Sequence, residues 1–283
     1  MTLISGWQLL DRVGQRGPLL ADGANGTMLM SYGIPAEDVL GANLTQSDLV
    51  KRIHSDYVDV GTQLITTNTF GLRTGGGWAE SALAGLAIAE SVAADAPREI
   101  AVLFSLVSSH VVPEQENLER IIQEQASVTP LLLLETCTNM AVISAAVAVL
   151  KQRLPQVPLA VTCHFNNDCK MVDGTPAVEC AKLLSNLGVQ ALGVNCCHSA
   201  VAVFNVVSQM HAAVPLPIVA QPNAGQPVTA SDGTMHWQME PSSFSAIASS
   251  LARLGASVIG GCCGTRPEHI RAAAKVLRSL NTL

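Results

Sequence analysis

The sequence predicts an α/β fold, a (β/α)8 TIM barrel forming a single domain over residues 1–283. Three observations carry this. Apolar runs of strand length recur eight times. Each run is continuous rather than alternating, as in parallel strands covered on both faces. Stretches with helical spacing separate the runs, and eight strand–helix units in about 250 residues is the period of such a barrel. A doubly wound sheet is the competing arrangement, because strand order is not written in a sequence.

The eight runs are PLLADGA (18–24), TQLITTNTF (62–70), EIAVLFSLV (99–107), PLLLLETC (130–137), PLAVTCHF (158–165), ALGVNCC (191–197), PIVAQPN (217–223) and SVIGGCC (257–263). Four of the intervening helices have clear ends. Polar residues open the stretch from Gln46, and Gly61 closes it. Pro176 opens the next and Gly188 ends it, the Pro-in, Gly-out asymmetry of helix termini. The run from Ser242 stops at Gly255, and Pro267 with Glu268 suits the start of the last helix. The third unit is the weak one, with a poor helix pattern across residues 108–129. No internal repeat beyond this period, low-complexity tract or linker appears.

Composition narrows the function. Net charge is −6 with no basic run, and aromatics are 4%, which argues against nucleic acid as a partner. Charged residues are only 13%, in keeping with buried strands. The first seventeen residues do not read as a signal peptide, and MAVISAAVAVL is too short to span a membrane. The expected compartment is the cytoplasm, where the eight cysteines stay reduced and read as core residues, metal ligands or nucleophiles.

Barrel active sites lie at the C-terminal ends of the strands. Those ends carry Asp22, Asn25, Asn68, Glu135, Cys137, Cys163, His164, Asn195, Cys196, Asn223, Cys262 and Cys263. Cys196 ends the sixth strand and the vicinal pair Cys262–Cys263 ends the eighth. Those strands are second neighbours in a barrel, so three thiolates can converge on one ion and leave a fourth tetrahedral position open, the mark of a catalytic zinc. Core filling and a vicinal redox pair are the plainer readings of the same cysteines.

The motifs DGANGTML, NLTQSDLVKRIHSDYVDVG, TTNTFG, GVNCC, PNAGQP and GGCCGTRPEHIRA, in that order, make residues 18–278 resemble the zinc-dependent homocysteine S-methyltransferase family. That family includes the homocysteine-binding domain of cobalamin-dependent methionine synthase and the betaine– and S-methylmethionine–homocysteine methyltransferases, and its fold is a (β/α)8 barrel. The resemblance implies Zn²⁺ on Cys196, Cys262 and Cys263, with Cys197 a bystander. It implies that Asp22 and Glu135 hold the amino group of L-homocysteine, framed by Gly23, Ala24, Asn25 and Asn195. The implied reaction is methyl transfer to the zinc-bound thiolate of homocysteine, giving methionine. The implied donor is S-methylmethionine, S-adenosylmethionine or a methylated corrinoid protein, with no membrane or nucleic acid involved.

Read without the resemblance, Gly23 and Gly26 make a tight turn, and Asp22 caps the segment that follows. Three stretches depart from the family. LFSLVSSH stands where a Gly-Ser-x-Gly-Pro-like segment is usual, the second and third loops are short, and CHFNNDCKMVDGTP is rich in Cys and His. RTGGGW suggests a flexible loop with an aromatic tip, and Cys163, His164 and Cys169 form a candidate second metal site. Alternatives to the homocysteine reaction are a zinc-dependent transfer to another thiol, work with a separate corrinoid protein, and a non-catalytic zinc- or partner-binding barrel.

Overall fold

The computed structural model describes residues 2–13, 15, 17–71, 77–230 and 235–280. The eight predicted runs all form strands of one parallel sheet: β2 (Leu19–Leu20), β3 (Leu64–Thr66), β4 (Ile100–Leu106), β5 (Leu131–Cys137), β6 (Leu159–Cys163), β7 (Ala191–Asn195), β8 (Ile218–Gln221) and β11 (Ala256–Ile259). A ninth strand, β1 (Leu3–Ile4), adds to the start of β4. The ladder runs from β3 through β4 to β8, then β11, then β2. Between β2 and β3 the contact is one parallel bridge, Ala21 to Leu64, flanked by hydrogen bonds from Asp22 N to Leu64 O and from Gln63 N to Leu20 O. The result is a TIM-like arrangement of eight parallel strands, with that seam held by a bridge instead of a ladder.

Alternation along each strand sorts side chains into two cores. Leu19, Ala21, Leu64, Ala101, Leu103, Leu131, Leu133, Ala160, Ala191, Val219 and Val258 form an apolar cluster inside the curve of the sheet. Their neighbours, such as Leu20, Ile65, Val102, Leu132, Val161 and Leu192, point outward into a larger core under the helices. That outer layer is built by α2 (Asn25–Ser31), α3 (Ala42–Thr45), α4 (Ser47–Asp59), α5 (Trp78–Asp95), α6 (Ser108–Val111), α7 (Gln115–Arg120), α8 (Met140–Arg153), α9 (Ala177–Asn186), α10 (Ala200–Ala213), α11 (Pro241–Arg253) and α12 (Pro267–Leu280). The four helices with clear end signals lie within one or two residues of their predicted bounds, because those signals are local backbone chemistry.

The inner cluster is plugged from below. Ser5 and Gln8 form a capping box that starts α1 (Gly6–Leu10), and Leu9 of this helix joins the inner apolar cluster. Continuing upward, the inward positions turn polar: Thr66, Ser105, Glu135, Thr162, Asn195 and Gln221 follow the apolar residues on their strands. The chemistry sits on that layer.

The third unit is broken, as its poor pattern suggests. Residues 108–125 form α6, α7 and a π-helical turn at Ile121–Gln125. The proposed RTGGGW loop falls largely outside the described residues. Its tryptophan is not an exposed tip: Trp78 is 5% exposed and opens α5. No helix among the described residues is long and apolar enough to cross a membrane.

Candidate functional site

A cleft of ≈ 360 Å³ opens at the C-terminal ends of the strands. Its wall includes Gly23, Ala24, Asn25, Thr66, Glu135, Thr136, Cys196, Gln221 and the Gly261–Cys263 turn. Met30, Val39, Leu40 and Phe70 give it an apolar stretch of wall.

Three thiols share the floor. The sulfurs of Cys196, Cys262 and Cys263 all lie within 4.8 Å of one another, with Cys196 and Cys263 at 3.8 Å. All three side chains are partly open to the cleft. Backbone bonds set each one: Cys262 N–H donates to Pro222 O, Ala224 N–H donates to Cys263 O, and Cys196 N–H donates to Gln221 O. Thr265 locks the vicinal turn, with its hydroxyl 2.7 Å from Cys262 O and 3.0 Å from Ala24 N. The thiols interact as donors and acceptors. Cys262 acts as a donor to its neighbours, which pushes its thiol up, and the hydrogen bonds that Cys263 receives pull its thiol well down. This donor set can hold one soft metal ion. Asn25 Oδ1, Gln221 Oε1 and Asn223 Oδ1 are buried and have no hydrogen-bond partner among the described residues.

The glycines serve close approach more than turning. A Cβ on Gly23 would stand 2.7 Å from Thr265 Oγ1 and 2.8 Å from the Tyr57 hydroxyl. Gly264, at φ +79°, lies under Trp237, whose Cγ would be 2.0 Å from an added Cβ. Trp237 belongs to a hairpin absent from the eight-run pattern, β9 (Pro227–Thr229) with β10 (Met235–Trp237). The Asp232-Gly233 pair between short strand-like runs was the available signal.

The carboxylates occupy different depths. Glu135 faces the cleft. Ser105 donates a short hydrogen bond to its Oε1, and Asn195 Nδ2 lies 3.3 Å from Oε2. Asp22 is fully buried behind the wall, where it accepts from Thr66 N at 2.7 Å and from the Thr66 hydroxyl at 2.8 Å. It does not cap the next helix, whose N-cap is Ala24. Burial pushes both carboxyl groups up, each to about 7, and Glu135 pushes Asp22 further the same way by like-charge repulsion. Asn195 ties the pieces together, since its Oδ1 accepts from Thr136 N at 2.8 Å and its Nδ2 lies 3.9 Å from Cys262 Sγ.

The second metal site is not assembled. Adjacent strand residues face opposite ways. Cys163 therefore points outward, to within 3.8 Å of Cys180 in the core, while His164 points to the carbonyl of Cys196. Among the described residues the only cluster with metal-holding geometry is Cys196–Cys262–Cys263. Cys197 is buried and accepts from Phe165 N, clear of that cluster.

The model of the homocysteine S-methyltransferase family matches residues 19–277, nearly the whole chain. The chain belongs to this family of enzymes. It is 27% identical to the methionine synthase of Mycobacterium leprae over 96% of its own length, and spans 25% of that protein. It is 25% identical to the homocysteine S-methyltransferase YbgG of Bacillus subtilis, covering 93% of this chain and 96% of that one. Among solved structures, the apo homocysteine methyltransferase MmuM from Escherichia coli superposes with a TM-score of 0.75 at 22% identity, covering 95% of this chain and 98% of that chain. A metallated form of the same protein gives 0.73 at 23%, covering 94% of this chain and 97% of that one. The fold is shared.

Proposed function

We propose that this member of the family transfers a methyl group to the thiol of L-homocysteine, giving methionine, with Zn²⁺ held by Cys196, Cys262 and Cys263. The observation that carries the reading is the three-thiol floor of the cleft, set beside Glu135 and Asn195, in a chain matched by the family over residues 19–277. The thiols fit the ion. Zn–S bonds near 2.3 Å place tetrahedral sulfurs about 3.8 Å apart, and the sulfurs of Cys196 and Cys263 stand 3.8 Å apart.

When bound, the ion supplies positive charge that lets a thiol lose its proton near neutral pH. The chain's residues do the rest. Glu135 offers a carboxylate oxygen to the acceptor's ammonium, and the buried charge of Asp22 supports it from behind Thr66. Gly23, Ala24 and Asn25 bring backbone close to the amino acid's other end. The bound amino acid is thereby aimed with its sulfur toward the thiol floor. The methyl donor packs on the apolar stretch of wall that holds Met30, Leu40 and Phe70. The sulfur lone pair forms the new S–C bond while the bond from methyl to its leaving group breaks, and the leaving group keeps that electron pair.

The same reading takes the sheet as a closed (β/α)8 barrel in a single domain, working in the cytoplasm, where free thiols persist. Zinc-loaded protein incubated with L-homocysteine and, in turn, S-methylmethionine, S-adenosylmethionine and a methylated corrinoid protein tests it. Methionine formed with one of them, and lost on chelation, is the expected result. A protein that binds zinc but turns over none of the three would sink the reading.

A further inference from the structure

Cys196 holds an unusual backbone conformation, φ +57°, which a residue with a Cβ seldom adopts. Such a conformation persists only where surrounding contacts over-determine it. Here the contacts are visible on both sides. Toward β8, Cys196 N–H donates to Gln221 O at 3.2 Å, and Asn223 N–H donates to Cys197 O at 3.2 Å. Toward β6, His164 Nδ1 lies 3.1 Å from Cys196 O, and Phe165 N–H donates to Cys197 Sγ at 3.2 Å. The imidazole is the better placed of the two side chains on that carbonyl, since Asn223 Nδ2 is 3.4 Å away. Cys197 Sγ stands 3.9 Å from the same nitrogen, and a carbonyl only accepts, so the contact with Cys196 O takes the tautomer with its proton on Nδ1.

We infer that His164 is a positioning residue for the metal centre: its Nδ1–H pins the Cys196 carbonyl in the turned conformation that aims Sγ at Cys263. The backbone of this residue is itself held, because the His164 main-chain N–H donates to Cys137 O at 2.9 Å. Without the imidazole the Cys196–Cys197 peptide loses its better-placed carbonyl donor and can relax, which swings the sulfur out of the cluster. The chemistry also explains why histidine stands at a strand end beside a cysteine that faces the core. The inference rests on the proposal that the three thiols hold a metal ion.

The test uses full-length protein loaded with Zn²⁺ and with Co²⁺. Chelator competition gives the zinc affinity, and the thiolate-to-cobalt absorption bands report the geometry of the cluster. His164→Asn and His164→Asp have nearly the same shape, but only the amide can donate to a carbonyl. We expect zinc affinity to fall 10- to 100-fold in His164→Asp, the range typical of partners that orient ligands, with displaced cobalt bands. His164→Asn is expected to stay within about threefold of wild type with its bands in place, and His164→Asp should also melt lower without metal, since its carboxylate faces the Cys196 carbonyl with no donor. Equal affinity and equal spectra in the two variants would overturn the inference while leaving the metal centre standing. A wild-type protein that takes up no metal on its three thiols would overturn both. Should the aspartate variant fail to fold, loss of zinc affinity in His164→Leu with retention in His164→Asn carries the same meaning, and retention in both refutes it.

Discussion

The side-chain amide of Asn195 stands between Glu135 and Cys262, with its nitrogen 3.3 Å from the carboxylate and 3.9 Å from the sulfur. One residue thereby joins Glu135, to which the proposal assigns the amino group, to the thiols, to which it assigns the substrate sulfur. Its oxygen also holds the N–H of Thr136, a β-branched residue at φ +54°. Replacing it by leucine removes these contacts, together with the one from its nitrogen to the Thr136 hydroxyl at 2.9 Å. We expect Asn195→Leu to lose about 1–3 kcal/mol of stability by urea denaturation, because Thr136 N–H and the Glu135 oxygen lose a partner. Homocysteine affinity, read from the cobalt spectrum, should fall at least tenfold.

The thiols lie above the apolar layers, so the fold should not depend on the metal. Metal-free protein is expected to keep its circular dichroism. Zinc in thousandfold excess over its dissociation constant should add about 4 kcal/mol of stability by mass action. In a Cys262→Ser, Cys263→Ser double variant that increment should vanish while the metal-free melting point stays close to wild type. A variant that still responds to zinc would move the metal elsewhere.

Asp22 gives a pH dependence of definite sign. Its folded carboxyl is raised from 3.8 to about 7 by burial, so between those values the folded protein binds more protons than the unfolded one. Its contribution to stability is therefore complete below pH 4 and is lost as pH rises through 7. Asp22→Asn keeps the contacts with Thr66, whose hydroxyl can turn to accept. The variant should gain about 2 kcal/mol over wild type at pH 8 and nothing at pH 4, a figure reduced because Asp22 and Glu135 titrate together. On the proposed function homocysteine binding should weaken at the same time, since the buried charge that opposes folding is the one that supports Glu135 from behind Thr66. Unfolding curves at the two pH values, with and without ligand, decide it.

How much of this was legible is best seen at particular residues. The eight strands were readable because a parallel strand buried on both faces is an unbroken apolar run. Cys196, Cys262 and Cys263 were readable because strand order in a barrel places the ends of β7 and β11 one strand apart, with only β8 between them. The fate of His164 was not. Its type suggests a ligand, and only the alternation at the end of β6 sends it to a carbonyl while sending Cys163 into the core. The plug at Leu9 rests on a two-residue strand and a five-residue helix, too short to leave a periodicity. Asp22 lies at an unforeseen depth, because nothing in DGANG records that Thr66 claims its oxygens.

His54 is expected to act with the opposite sign to Asp22. It lies in α4, fully buried, and neither ring nitrogen has a hydrogen-bond partner among the described residues. Burial lowers its proton affinity from 6.5 to about 4, so the ring stays neutral in the folded protein while the unfolded chain protonates it. Its contribution is complete above pH 6.5, declines as pH falls toward 4, and levels off below that. Going from pH 8 to pH 5 should cost wild type about 2 kcal/mol through this residue alone, since one proton bound only by the unfolded chain is worth about 1.4 kcal/mol for each pH unit crossed below 6.5. His54→Leu has a similar volume and no proton to bind. The stability difference between variant and wild type should therefore move by about 2 kcal/mol in the variant's favour between those two pH values, measured by urea denaturation of the metal-free protein. A difference that does not change with pH would mean that His54 has found a partner, and that the acid sensitivity of the fold lies in other groups.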